Sequence, residues 1–132
     1  MNRILPLAAA LLVTAIPASA QQAPLPRLNL AQETTLRCSA AFGLVAFDQK
    51  RGAPGASEFP PLAERGREFF VRTTARLMDE TGASREAVQA LLKARVEELQ
   101  KAPAGAAHAA SSLKAVVRAC LPLLDSEVPE KR

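Results

Sequence analysis

Two cysteines, Cys38 and Cys120, and a single histidine, His108, are the residues of this chain best suited to covalent or metal chemistry. The cysteines lie 82 positions apart. Redox thiol pairs usually sit as C-x-x-C, so this spacing favours a structural disulfide. Zinc needs Cys, His or carboxylate ligands at set spacings, and one histidine with two paired cysteines does not supply them. A Ser-His-acid triad would have to use His108, which falls in the small-residue stretch Ala102 to Ala110 and reads as a surface residue. No G-x-S-x-G, G-x-G-x-x-G or P-loop pattern occurs. Glu64 and Glu68, one turn apart, would form only a solvated acid pair. These readings predict no catalytic residue, no metal and no cofactor.

The arginines raise a different possibility. Arg65, Arg72 and Arg76 fall in line with Glu68 and Asp79 on one helical face. Such a face is either solvated and laced with acids or a surface for an anionic partner. Arg95 is the least expected residue, because it interrupts an apolar stripe. It either snorkels to water along its own methylenes, pairs with a buried carboxylate or a carbonyl, or meets a ligand. Arg65, Arg72, Arg76 and Arg95 are therefore the candidate interaction surface.

The elements that must position these residues are helices. Around Cys38, the run Leu36 to Asp48 is apolar nearly all round, with Cys38, Ala41, Phe42 and Val45 on one side and Leu36, Ala40, Leu44 and Phe47 on the other. A helix of that kind is buried, so it is expected at the centre. Gly43 sits mid-helix, where glycine costs about 1 kcal/mol against alanine; close approach of another helix would explain it. Asn29 and Gln32 have capping-box spacing, so the helix should run from Asn29 to Lys50. Arg51 to Pro61 holds two glycines and three prolines and reads as a loop. Its Phe59 is expected at the edge of the core.

A second helix is expected over Leu62 to Thr81, with proline suited to its first position. Leu62, Gly66, Phe69, Phe70, Thr73 and Leu77 share an arc about 100° wide. Val71 and Met78 form a second apolar strip. Gly82 ends this helix and Ser84 caps the third, which runs to Lys101 with the stripe Val88, Leu91, Leu92, Val96 and Leu99. So short a connection makes the two helices antiparallel neighbours. A fourth helix is expected from Ser111 to Leu121, with Leu113, Val116, Val117 and Cys120 on one face and Pro122 stopping or bending it. β-branched alternation is missing, so no strand is expected. The fold class is an all-α bundle of about four helices, its first and last joined by Cys38–Cys120. Closing so long a loop would stabilise the fold by roughly 4–5 kcal/mol on the chain-entropy model.

Disulfides persist in oxidising compartments, and the N-terminus agrees. Arg3, the apolar run Ile4 to Ile16 and Ala18-Ser19-Ala20 have the order of a cleaved signal peptide. The apolar run is too short for a bilayer span of about 20 residues. The expected organisation is signal peptide 1–20, flexible leader 21–28, helical domain 29–124 and charged, frayed tail 125–132. The protein is thus expected in the periplasm or secreted, with no integral membrane segment after cleavage. Losing Arg3 leaves 16 Lys and Arg against 13 Asp and Glu, interspersed. With Trp and Tyr absent as stacking platforms, nucleic acid is not expected as a partner.

CSAAFGLVAF and PPLAERGREFFVRTTARLMDETG resemble segments of small, uncharacterised, exported helical proteins of proteobacteria. That resemblance implies a fold and a compartment and no activity. A looser likeness, of architecture only, is to periplasmic acid-stress chaperones, with no motif matched. The expected function is a non-enzymatic binding or interaction protein of the cell envelope, its partner a protein. The alternatives are an acid- or envelope-stress chaperone and an inhibitor or immunity protein for one partner enzyme.

Overall fold

The computed structural model describes residues 24–101 and 106–130, with side chains from residue 112 onward in the second stretch. The expected signal peptide, its cleavage site and the start of the leader lie outside the described residues. Four α-helices account for the fold: α1 Leu30–Lys50, α2 Arg65–Thr81, α3 Arg85–Gln100 and α4 Ala106–Glu127. A one-turn 3-10 helix, Ala56–Glu58, lies between α1 and α2, and the described residues contain no strand.

Side chains at the helix ends take up backbone groups that a helix leaves unpaired. Asn29 Oδ1 accepts from the Gln32 N–H at 2.9 Å, and Gln32 Oε1 accepts from the Asn29 N–H at 3.0 Å. That reciprocal pair is the expected capping box. Ser84 Oγ accepts from the Ala87 N–H at 3.2 Å and starts α3. Gly82, at φ 67°, closes α2 in the left-handed region and donates to the Met78 carbonyl.

α1 is central and touches each of the other helices and the 3-10 turn. The main core gathers Cys38, Ala41, Phe42 and Val45 of α1 with Phe59, Leu62, Phe69, Leu99, Val117, Cys120, Leu124 and Val128. The Phe42 and Phe69 rings meet edge to face, centroids 5.2 Å apart, a geometry that suits the aromatic quadrupole. A smaller cluster joins Leu36, Leu77, Val88 and Leu91, with Leu28 of the leader packed against it. The start of α3 thus meets the end of α2, and Leu99 near the end of α3 shares a core with Leu62 and Phe69. α2 and α3 run antiparallel, as their short connection requires.

Several expectations are corrected. The close approach assigned to Gly43 belongs to Gly66 of α2, where a Cβ would lie 3.3 Å from the Phe42 Cβ; a Cβ on Gly43 would meet nothing within 4 Å. Phe47 and Val71, read as apolar contact positions, are 64% and 56% exposed. The Phe47 ring lies beneath the Arg51 guanidinium, 5.7 Å away, which keeps one face partly covered. α2 starts at Arg65, beyond the prolines and later than expected, and the Leu62 N–H ahead of it is taken by Gln49 Oε1 at 3.0 Å. The Gln49 Nε2 donates to the carbonyls of Ala56, Phe59 and Pro60 at 2.9 to 3.2 Å. One side chain thereby holds the whole proline-rich loop against α1, with Phe59 buried as expected.

The largest departure is at the C-terminus. α4 begins at Ala106, inside the stretch read as a linker, so position 108 lies on a helix. It also runs through Pro122 to Glu127. A proline inside a helix costs about 3 kcal/mol. Burial of Leu124 and Val128 beyond it returns about 1.5–3 kcal/mol each, which outweighs that cost. The segment expected to fray is helical to Glu127 and anchored by Val128.

Candidate functional site

The cysteines stand where the covalent reading puts them. Cys38 and Cys120 form a disulfide with Cα atoms 5.6 Å apart, joining the middle of α1 to α4, and both are buried. That separation is the ordinary one for a bridge between two helices.

The arginine face of α2 is not free. Arg65, only 18% exposed in its side chain, reaches the Asp125 carboxylate at 2.7 Å and that of Glu130 at 3.2 Å. Its Nε and Nη2 also donate to the Val128 carbonyl at 3.1 and 2.8 Å. Arg72 donates to the Glu127 carbonyl at 2.6 Å and pairs with Glu68. Arg76 grips the Glu127 carboxylate with both terminal nitrogens, at 2.8 and 2.7 Å. The carbonyls at a helix C-terminus lack intrahelical donors and carry the negative end of the helix dipole. Arginines from α2 supply the missing donors and the positive charge, so α4 is capped by a neighbouring helix. The hydrogen bond from Arg76 is the main reason the Glu127 carboxyl titrates below its ordinary range; burial opposes that effect, and charge attraction from Arg76 and Arg72 adds to it. Reciprocally, Glu127 raises the Arg76 guanidinium.

Arg95 pairs with carboxylates, but these are not the buried ones expected, since Glu33 and Glu98 both remain partly open to solvent. Its side chain, 24% exposed, binds Glu33 in the first turn of α1 and Glu98 at 3.2 Å one turn along α3. Arg37 approaches Glu98 at 3.7 Å. These charges tie α3 to α1, and Arg95 lines none of the cavities below. On the opposite side, Glu58 of the 3-10 turn accepts from Lys114 of α4 at 2.7 Å, with Arg118 at 3.4 Å. The Lys114 hydrogen bond and charge hold the Glu58 carboxyl below its ordinary range.

The hollows that indent the surface of the described residues include these four. A polar notch of about 100 Å³ lies between α1 and α2 beside Gln32, Arg76 and Glu80. A trough of about 580 Å³ runs along the disulfide between Arg37, Val116, Pro122 and Leu123. A third, about 590 Å³, separates Pro61 and Glu64 from Val128 and Glu130. The fourth, about 350 Å³, opens between α1, α2 and α3, and apart from Ser39 and Arg67 its lining side chains are all apolar. Among the described residues no cluster of His, Cys, Asp and Glu is arranged to hold a metal, and no helix is long and apolar enough to cross a membrane. The buried hydroxyls of Ser39 and Thr73 lie 3.1 Å apart. One hydroxyl donates to the other, and the acceptor gives its own proton to a backbone carbonyl of its helix, so the pair joins α1 to α2.

Three features escape a reading of the sequence: Gln49 as organiser of the loop, Glu127 and Val128 as the seat of the arginines, and Arg67 at the apolar hollow. For the second, the signal is present as Asp125, Glu127 and Glu130 standing opposite three arginines in charge. No family model, no curated protein and no solved structure matches this chain.

Proposed function

We propose that this chain is an exported, non-enzymatic binding protein of the cell envelope. The observation that carries the reading is the buried bridge between Cys38 and Cys120, a cross-link that lasts in oxidising compartments and is rare in reducing ones. The charged side chains brought together in the fold pair with one another and hold helices in place, which supports binding over catalysis. The test is expression of the full chain from its own first residue, followed by fractionation, N-terminal sequencing and thiol labelling. The expected product starts near Gln21, lies in the envelope or medium and labels with no thiol reagent. Full-length, reduced protein retained in the cytosol would end the reading.

A stress chaperone that opens in acid is the second reading, favoured by the carboxylates Asp125, Glu127 and Glu130 that hold down the segment bearing Leu124 and Val128. Protonating them would leave Arg65 and Arg76 without counter-charges. Apolar-dye binding and client aggregation at pH 2–3 test it. Unchanged dye fluorescence with an aggregating client would sink it. An inhibitor of one partner enzyme is the third reading; its surfaces would be the loop from Arg51 to Pro61 and the arginine face, where Arg72 and Arg76 stay half exposed while holding the C-terminal segment.

A further inference from the structure

We propose that the hollow between α1, α2 and α3 binds the acyl chain of a long-chain fatty acid, with the Arg67 guanidinium at its rim taking the carboxylate. The inference rests on the binding-protein reading and names the ligand class. Three observations converge on it.

The first is the wall. Ala40, Gly43 and Leu44 of α1, Phe70 of α2, and Leu92 and Val96 of α3 face a space of about 350 Å³. That lies at the low end of the ~300–1,000 Å³ usual for ligand pockets. A space of that size suits one flexible chain rather than two.

The second is Gly43. It lies in the middle of α1, where glycine weakens a helix, and no neighbouring atom comes within 4 Å of where its Cβ would be. No packing within the fold requires the missing side chain. A chain lying along α1 would use the space that the missing side chain leaves open.

The third is charge. No carboxylate lines the hollow. In the other three hollows the lining arginine already meets an acid: Arg76 meets Glu127, Arg37 meets Glu98, and Arg65 meets Asp125 and Glu130. Arg67 forms no ion pair among the described residues. An apolar trough with one unmatched cation at its edge is complementary to an apolar chain ending in one anion. The carboxylate stays at the solvent edge, where it gives up little hydration, and the chain alone leaves water.

The experiment titrates the disulfide-bonded protein with monomeric oleate and, separately, with oleyl alcohol, reading stoichiometry by native mass spectrometry and affinity by calorimetry. Oleate is expected to bind one to one. Gly43→Leu, which fills the trough from α1, is expected to weaken both ligands at least about tenfold without lowering the melting temperature. Ala63→Leu fills it from the α2 side and decides the matter if Gly43→Leu does not fold. Arg67→Gln is expected to weaken oleate about tenfold and leave the alcohol within about twofold. No one-to-one complex, or filled variants that bind as the parent does, or an Arg67→Gln loss equal for acid and alcohol would each overturn the assignment. A chain found exported and oxidised yet inert to oleate would remove this ligand and leave the binding-protein reading standing.

Discussion

α4 is fastened to the bundle twice, by opposite physics. On one side a single covalent bond ties Cys120 to Cys38 of α1. On the other, three arginines of α2 hold its last turn through carboxylates and open carbonyls. The covalent tie acts on the unfolded chain, by shrinking the ensemble that folding must order, and is indifferent to pH and salt. The ionic tie acts on the folded state, one weak contact at a time, and is indifferent to reductant. Neither replaces the other. The bridge lies mid-helix and leaves the far end of α4 untethered, and the arginines lie near that end, beyond Pro122.

Removing the bridge should produce the largest change. Cys38→Ala with Cys120→Ala is expected to lower stability by about 4–5 kcal/mol. At ~4–8 °C per kcal/mol for a domain of this size, the melting temperature should fall by on the order of 20 °C. Thermal melts followed by circular dichroism check this, and reductant added to the parent protein should reproduce it. If the double variant melts with the parent, the bridge contributes nothing and the comparison collapses.

The ionic tie should yield next. Arg65 is the most enclosed of the three arginines and serves both a carbonyl and two carboxylates. Arg65→Met keeps much of the stem and removes the donors. Hydrogen bonds from charged groups contribute about 1.5–3 kcal/mol, and the loss should be of that order in urea unfolding. Combined with the cysteine double variant, the two losses should add, because the sites act on different states and share no partner.

The two attachments also differ in how visible they are in the sequence. Two cysteines on apolar helical faces, in a chain whose N-terminus reads as a signal peptide, predict their own pairing. The apolar stripes of Leu62 to Leu77 and Val88 to Leu99 predict the core for the same reason, since a 3.6-residue period survives in one dimension. The arginine clamp is different. Its partners are carbonyls and acids more than fifty positions away, and no periodicity links them. Pro122 reads as a helix end by local rules, and only the distant burial of Leu124 and Val128 overrides that rule. Phe47 and Val71 mislead for the reverse reason: the pattern marks them apolar, but no helix among the described residues covers them. The apolar hollow is visible only once three helices meet, and Gly43, conspicuous in sequence, acquires a rationale there and not in the packing.

Acid sharpens the contrast. The Glu127 carboxyl titrates below its ordinary value of 4.5 because Arg76 holds its charged form. A group whose folded value is depressed adds stability above its unfolded value, and that stability is lost as pH falls through the folded value. The Arg76–Glu127 pair is half exposed on the arginine side, so screening limits its worth to about 0.2–1 kcal/mol. Stability should therefore decline from about pH 4.5 downward. Glu127→Gln should flatten that part of the curve while leaving the reductant sensitivity intact. A parent protein equally stable at pH 3 and pH 7 would show that the clamp carries no net energy.

Salt should give the smallest effect and the finest separation of the two ties. At 1 M ionic strength the screening length falls to about 3 Å, which weakens the exposed ion pairs but not hydrogen bonds to carbonyls. The Val128 N–H, bonded to the Leu124 carbonyl at 2.8 Å, reports the last turn of α4. The Phe42 N–H in the middle of α1 reports the body held by the bridge. High salt should speed hydrogen exchange at Val128 by a few-fold and leave Phe42 unchanged. Were Arg72 and Arg65 to act chiefly as donors to the Glu127 and Val128 carbonyls, exchange at Val128 would resist salt yet still accelerate in Arg65→Met. That outcome would assign the clamp to helix capping rather than to charge pairing, and it would move the acid sensitivity onto Glu127 and Arg76 alone.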